Sequence, residues 1–262
     1  MHLTLDYNTP TDQQLQIRLE RIDFSIRNAF NIPPTGTAVG LFDLKTGRFA
    51  ALHPDREEYA ASVAKIGILL AYFDLHPSAA TNLDPQTRHE LGLMIKASDN
   101  DLAAKFSQQI GLREIQSVLN RHGFYDAARG GGLWVGKHYG VSGGERIGDP
   151  VGDNSHAATV RQLLRFYLML AQEELISPQA SHAMREIFAS REIPDDPIKF
   201  VKGLAGREVT ILRKWGSWED WQHDSAIIEG PHCKYILIGL THHPRGDEYL
   251  EQLARSIDDL LN

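Results

Sequence analysis

Cysteine is nearly absent from the chain, which contains only Cys233 among its 262 residues. A single cysteine excludes an internal disulfide and any metal site built on paired cysteines. Long apolar runs are also missing, because the longest, Ile66 to Phe73, has eight residues and a membrane-spanning helix needs roughly 20. The sequence does not open on a basic segment followed by an apolar one, so no signal peptide is visible. We therefore expect a cytoplasmic location, or a periplasmic or secreted one if a leader has been removed.

Basic residues are outnumbered by acidic ones. Lys and Arg total 27 against 34 Asp and Glu, which gives a net charge of −7 at pH 7. The sequence contains no basic run interleaved with aromatic residues, so we expect neither nucleic acid nor a membrane as a partner. The twelve histidines include no His-Glu-x-x-His pattern, and no metal site is predicted.

One lysine stands in an unusual place. Lys65 lies in the segment ASVAKIGILLAYF, whose apolar residues cover nearly every side of a helix, so the helix is predicted to be buried all round. Burial disfavours the ammonium form and lowers the pKa of a lysine, which turns it into a base near neutral pH. Ser62 lies three residues earlier on the same helical face, as a nucleophile beside its base would. Alternatively, Ser62 is a helix N-cap and Lys65 extends to the surface.

The order of predicted elements indicates an α+β fold. Thr11 and Gln14 form a predicted capping box for a first amphipathic helix, which a hairpin turning at 45–47 follows. A mainly helical block runs from 61 to about 204, and three strand-like segments and a terminal helix end the chain. We expect one domain, 1–262, with a five-stranded antiparallel sheet flanked by the terminal helices (1–60 with 206–262) and an inserted helical lobe (61–205). Ser62 would then lie at the cleft between the lobes.

Two further motifs accompany the serine and the lysine. Ser98-Asp99-Asn100 precedes a helix, although Ser98 with Asp101 could be only a capping box, and Lys214-Trp215-Gly216-Ser217 ends a late strand. In this order the three motifs resemble those of class A β-lactamases and penicillin-binding proteins, and the resemblance covers nearly the whole chain. A second Lys-Thr-Gly, at 45–47, lies in the first hairpin turn before the nucleophile and does not fit the order.

The resemblance implies a role for each matching residue. Ser62 would be the nucleophile, Lys65 its base, and Ser98 with Lys214 the relay that protonates the departing nitrogen. The groups that would bind the substrate are Asn100 for its amide, Gly216 with the backbone N–H groups of Ser62 and Ser217 for the oxyanion, and Lys214 with the Ser217 hydroxyl for a carboxylate. No metal or organic cofactor is implied, and the partner would be a small-molecule or peptide-like acyl substrate.

The chain departs from the family pattern in its third motif and in its spacing. Trp215 replaces the small hydroxyl residue usual there, and with Trp218 and Trp221 it predicts an aromatic wall of the cleft, unless the three only cover the sheet. Ser98 follows Ser62 by only 36 residues, fewer than is typical of class A enzymes. We therefore expect a more open cleft.

The glycine-rich loop 130–156 lacks the Glu-x-x-x-Asn pattern whose glutamate activates the deacylating water in class A enzymes. Glu145 is the first candidate for that base, followed by Asp149, Asp153 and His156, unless these are only solvated loop charges. The sequence thus predicts a β-lactamase-like serine hydrolase that deacylates slowly. The alternatives are a peptidase, amidase or esterase on the same fold and a binding protein without hydrolytic activity.

Overall fold

The computed structural model describes residues 2–262, in which nine α-helices and ten strands can be followed. The helices are α1 (Gln13–Phe30), α2 (Lys65–Leu75), α3 (Pro85–Ile95), α4 (Asn100–Ile110), α5 (Leu112–Arg121), α6 (Val160–Ala171), α7 (Pro178–Phe188), α8 (Lys199–Gly203) and α9 (Gly246–Leu261). The strands are β1 (Thr37–Asp43), β2 (Phe49–Leu52), β3 (Glu58–Tyr59), β4 (Tyr125–Asp126), β5 (Gly131–Gly132), β6 (Trp134–Val135), β7 (His156–Ala158), β8 (Thr210–Trp218), β9 (Trp221–Glu229) and β10 (Lys234–His242).

The main sheet joins the two ends of the chain. Its strand order is β2-β1-β10-β9-β8, every pair is antiparallel, and β1 pairs with β10 in the register that places Thr37 opposite Thr241. This confirms the predicted five-stranded antiparallel sheet of an α+β fold. β8, which carries the third motif, is an edge strand and is therefore free to meet the helical block.

Helices cover both faces of the sheet. On one face, Leu19 of α1 and Leu253 of α9 belong to an apolar cluster with β1, β9 and β10. On the other face, α6 packs against β1, β9 and β10, and the larger cluster continues through α2 into the helical block. Phe200 and Leu204 belong to the α1–α9 cluster. α8 therefore packs on α9, although the sequence analysis placed it in the helical lobe.

The N-cap of α1 differs from the prediction by one residue. Asp12, rather than Thr11, caps the helix, and its Oδ1 accepts a hydrogen bond from Leu15 N at 2.8 Å. The backbone of Asp12 has the extended conformation of an N-cap, which allows its side chain to accept from the first turn of the helix. Within residues 2–262, no helix is both long and apolar enough to cross a bilayer.

Candidate active site

Ser62 lies in a short 3-10 segment, Ala61–Ala64, that leads directly into α2. Ala61 has a φ of 45°, a left-handed conformation that is strained for a residue with a Cβ. Strain of this kind persists only where surrounding contacts impose it, and here it sets the direction in which Ser62 leaves the strand that precedes it.

Lys65 is fully buried at the first turn of α2, as the apolar pattern predicts. Burial lowers the pKa of Lys65 to about 7, so that a large fraction of the side chain is a neutral amine at physiological pH. Its Nζ donates to Ser98 O at 2.5 Å and to Asn100 Oδ1 at 2.7 Å, and it lies 3.3 Å from Ser98 Oγ. In the described part of the chain, no hydrogen bond joins Lys65 Nζ to Ser62 Oγ.

Ser98 is not the helix cap that the alternative interpretation required. Asp99 caps α4 instead, because its carboxylate accepts a hydrogen bond from Leu102 N at 2.8 Å. Ser98 has a φ of 60°, a second strained position next to Lys65. Its hydroxyl is therefore free of capping and accepts a hydrogen bond from Lys214 Nζ at 2.9 Å.

Lys214 is also fully buried, and burial followed by the charge of Lys65 lowers its pKa well below the usual value. Two residues on, Gly216 brings β8 against the nucleophile. A Cβ at Gly216 would lie 2.9 Å from Ser62 N and 3.0 Å from Val63 N, so only glycine allows the strand to come this close. This approach is the geometry that an oxyanion hole between the helix start and the strand edge requires.

Lys199 is a functional candidate that the sequence analysis missed. It begins α8 with a φ of 52°, and its buried Nζ donates to Gly216 O at 2.6 Å and to Ser217 Oγ at 2.7 Å. Burial lowers its pKa to about 8. No motif marks Lys199, because α8 has five residues and the contact depends on how it packs against β8.

Trp215 does not face the cleft. Its indole N–H donates to Lys96 O at 3.3 Å, and its ring lies 5.0 Å from Lys214 Nζ and 5.3 Å from Lys199 Nζ. The predicted aromatic wall is thus formed without it. Trp218 and Trp221 line the cleft, and Trp221 is held by parallel stacking on His242 at 3.8 Å.

The cleft has a volume of about 740 Å³. Ser62, Asn100 and Ser217 line it, and Lys65, Ser98 and Lys214 lie directly behind them as described above. The structure thus brings together eight of the nine residues predicted for the site. Of these eight, Trp215 points away from the cleft.

The ninth, Glu145, lies elsewhere. Its exposed carboxylate is 3.8 Å from Arg113 Nε and does not line the cleft. Asp153 pairs with Arg146, and Asp149 accepts hydrogen bonds from the N–H groups of Val151 and Gly152, so both carboxylates are used within the loop. This placement speaks against all three as bases. A long loop without periodicity gives no sign of which carboxylate faces inward.

The loop is anchored by a pair of acids. The side chains of Glu57 and Asp149 are hydrogen-bonded, and Tyr125 donates to Asp149 at 3.1 Å. Burial, then the contact with Asp149, raises the pKa of Glu57 to about 8, so that the pair shares a proton at neutral pH. A protonated Glu57 is a donor to Asp149, which removes the repulsion between the two carboxylates.

Two aromatic side chains of the loop reach the cleft beside Lys65. Tyr139 donates from its hydroxyl to Ala61 O at 2.9 Å, and Lys65 Nζ lies 4.7 Å from the centre of its ring. His156 stacks on Tyr139 at 4.1 Å and donates from Nε2 to Lys137 O at 3.0 Å. Burial lowers the pKa of His156 to about 4, so the imidazole is neutral. The sequence analysis named His156 but not Tyr139.

Curated relatives are few and distant. The proteins named "Putative lipoprotein LppW" from Mycobacterium tuberculosis and Mycobacterium bovis are 26% identical to this chain over 216 residues, which are 80% of this chain and 64% of theirs. The chain therefore spans less than two thirds of the length of these relatives.

Solved structures match over almost the whole chain. A β-lactamase from Sphaerobacter thermophilus has a TM-score of 0.73 at 15% identity and covers 94% of this chain and 97% of its own. PBP-A has a TM-score of 0.72 at 19% identity and covers 98% of each chain. A mutant of PBP-A in an acyl-enzyme complex with penicillin G has a TM-score of 0.68 at 18% identity, covering 92% and 96%. At such identities these likenesses show the fold.

The family itself is shown by a sequence comparison. The model of the β-lactamase enzyme family matches residues 76–261, well over half of the chain. The motif order and the fold point the same way. The chain therefore belongs to the β-lactamase enzyme family, within the superfamily of serine β-lactamases and penicillin-binding proteins.

Proposed function

We propose that the protein is a serine hydrolase that forms an acyl-enzyme on Ser62 with a β-lactam or a related amide or ester, and that releases the acyl group slowly. One observation carries the proposal. The Ser98 hydroxyl lies 3.3 Å from Lys65 Nζ and 2.9 Å from Lys214 Nζ, and Gly216 brings the strand of Lys214 against Ser62. A nucleophile, a base near neutral pKa and a proton relay thus share one cleft.

Acylation can be followed proton by proton. Neutral Lys65 takes the proton of Ser62 as Oγ attacks the substrate carbonyl, and the N–H groups of Ser62 and Ser217 stabilise the oxyanion. Lys65 then passes the proton through the Ser98 hydroxyl to the departing nitrogen as the carbon–nitrogen bond breaks. Lys65 Nζ must move from Asn100 toward Ser62 for this step, because in the structure it donates to residues 98–100.

The charge around the cleft favours an anionic substrate. Lys199 and Arg213 are buried at this edge of the sheet, and Asp224 is the buried acid beside them. Ser217 Oγ accepts from Lys199, so its own hydrogen can be donated to a group in the cleft. A substrate carboxylate next to Ser217 would accept from that donor and would lie near the Lys199 ammonium.

A covalent adduct is the first expected result. Incubated with a penicillin, the protein should gain the mass of one penicillin, and a chromogenic cephalosporin should give a stoichiometric burst followed by slow turnover. The reason is that acylation has all its groups, whereas the loop carboxylates lie outside the cleft. Intact-protein mass spectrometry and stopped-flow absorbance measure the two. Rapid turnover with no burst and no trapped adduct would contradict slow deacylation, and no adduct with either β-lactams or activated esters would contradict the hydrolase.

Recognition of a carboxylate should depend on Lys199. Lys199→Met should raise KM for a carboxylate-bearing substrate about 10- to 100-fold, because it removes the cation that orients the Ser217 hydroxyl, and one charge-assisted bond from that hydroxyl to the carboxylate contributes roughly 1.5–3 kcal/mol. KM for the neutral ester of the same substrate should change little. Lys202→Met is the matched control, since Lys202 lies on the same helix with its Nζ in an exposed pair with Glu251 at 2.7 Å. An equal rise in KM for the acid and for its ester would contradict a role of Lys199 in carboxylate recognition.

A peptidase acting on cell-wall-like peptides is the second candidate for the same site. It is favoured by the loop, whose carboxylates are used internally, because a peptidase of this fold needs acylation but no fast hydrolysis of β-lactams.

The name of the mycobacterial relatives favours a location outside the cytoplasm over the cytoplasmic one that the N-terminal sequence predicts. A binding protein without hydrolytic activity would show no adduct, which the first experiment tests.

A further inference from the structure

The surroundings of Lys65 differ sharply between its two sides. All of its hydrogen-bond acceptors come from residues 98–100, including Asp99 O at 3.2 Å. The face of the Tyr139 ring lies on Nζ from the loop side, at 4.7 Å. The residues of the second motif thus occupy the N–H donors of Lys65. A π face binds a cation but neither gives nor takes a proton.

Tyr139 is held rigidly in this position. Its side chain is almost fully buried, its hydroxyl donates to Ala61 O at 2.9 Å, and His156 stacks behind it at 4.1 Å. The ring therefore lies against both the residue before the nucleophile and the base. A water that approaches Ser62 and Lys65 from the loop side would need polar partners there, and Ala61 O already accepts a hydrogen bond from Tyr139.

We propose that Tyr139 is a positioning residue that restricts Lys65 to the acylation step, because its ring fills the space from which a water would reach both Lys65 and the acyl ester. This inference rests on the proposed acyl-enzyme function. Without the ring, neutral Lys65 would take a proton from water while the water oxygen bonds to the acyl carbon. The bond from that carbon to Ser62 Oγ would then break, and Oγ would take the proton back from Lys65.

The cleft offers few other groups for this step. His138 lines it, with its Nδ1 hydrogen-bonded to Ser107 Oγ at 2.8 Å. Within residues 2–262, Glu219 is the only carboxylate that lines the cleft, and it lies at the exposed turn between β8 and β9. His156 is behind the Tyr139 ring, and its Nε2 is bound to Lys137 O. The persistence of the acyl-enzyme is thus attributed to an aromatic residue that blocks water, in addition to the lack of a loop glutamate.

The test measures release of penicilloyl-Ser62 from Tyr139→Leu and Tyr139→Phe by intact mass after removal of free penicillin. Leucine keeps the site apolar but removes the flat ring and leaves Ala61 O without its donor, which invites a water. We expect Tyr139→Leu to release the acyl group about tenfold to a hundredfold faster than the wild type, as general-base assistance typically gives at least 10² when fully aligned. Its release rate should rise with pH through about 7, the pKa of Lys65, whereas that of the wild type should not.

Tyr139→Phe is the control, because it keeps the ring and loses only the hydroxyl bond, and it should release the acyl group at the wild-type rate. Slow, pH-independent release from a labelled Tyr139→Leu would overturn the inference, as would fast release from Tyr139→Phe. If Tyr139→Leu does not fold, hydroxylamine gives the answer with the wild type, since it attacks esters without a base: unaccelerated release supports a blocked approach, and rapid release overturns it. Failure of the wild type to label at Ser62 would instead reject the proposed function.

Discussion

Replacing Ser62 by alanine should abolish covalent labelling by penicillin and reduce any hydrolysis to the background rate, a loss of about 10⁴-fold or more. The expectation follows from the position of Ser62 between the start of α2 and Gly216, where the oxyanion hole would form. Ser98 is not expected to substitute, because Ser62 lines the cleft and Ser98 does not. The measurement is intact mass after incubation, with fluorescent penicillin as a second readout.

The control for this variant is Ser142→Ala. Ser142 is an exposed serine that lines the same cleft and makes no contact with Lys65 or Lys214. Its replacement should leave labelling unchanged. Labelling of Ser62→Ala at the wild-type rate would place the nucleophile elsewhere, and peptide mapping of the adduct would then identify it.

Replacing Lys65 by methionine should slow acylation by about 10² to 10⁴, the usual contribution of a general base. The wild-type acylation rate should rise with pH through about 7, since burial places the pKa of Lys65 there and only the neutral amine accepts the proton of Ser62. The variant should lose this dependence. Stopped-flow fluorescence with a penicillin from about pH 5 to about pH 9, roughly two units on each side of the Lys65 pKa, gives both results.

The same substitution has an opposite expected effect on stability. The folded pKa of Lys65 is lower than its unfolded value, so the unfolded state binds more protons between the two, and the unfolding free energy rises as pH increases through that range. At and below pH 7 the folded protein therefore carries the full penalty of a buried ammonium. Methionine removes it, and Lys65→Met should melt higher than the wild type at pH 6. If the variant loses both activity and stability, the loss of activity would be explained by misfolding and not by the removal of a general base.

The sequence predicts the site correctly where the functional residues are close together in the chain. Ser62 and Lys65 share a helical face, and the apolar residues around Lys65 predict its burial, which the structure confirms. Helix starts are harder to predict to the exact residue. Ser98 and Asp99 are both good N-caps, and only the backbone conformation selects Asp99 as the cap of α4. The five-stranded sheet followed from segments rich in strand-forming residues at the two ends of the chain.

What the sequence could not reveal depends on contacts between distant segments. Lys199 reaches Ser217 only because α8 packs next to β8, and Tyr139 reaches Lys65 only because the loop folds back over α2. No periodicity or motif in the sequence predicts either contact. Glu145 was the most reasonable acid by reach alone, yet the acid pair of Glu57 and Asp149 determines how the loop runs, and Glu145 is left facing Arg113.

The strand order of the sheet also has a consequence for synthesis on the ribosome. β1 cannot pair with β10 until about two hundred further residues have been made, and contacts of such high sequence separation form slowly. Until then the nascent chain exposes β1 and β2 as an unpaired hairpin with an open edge, which is a hazard for aggregation. Gly216 likewise reaches Ser62 late, so an interrupted chain would carry the nucleophile without the strand that completes its site. Acylating ability should therefore appear all at once, near the end of translation, and a chain that ends before β10 should be inert and prone to degradation.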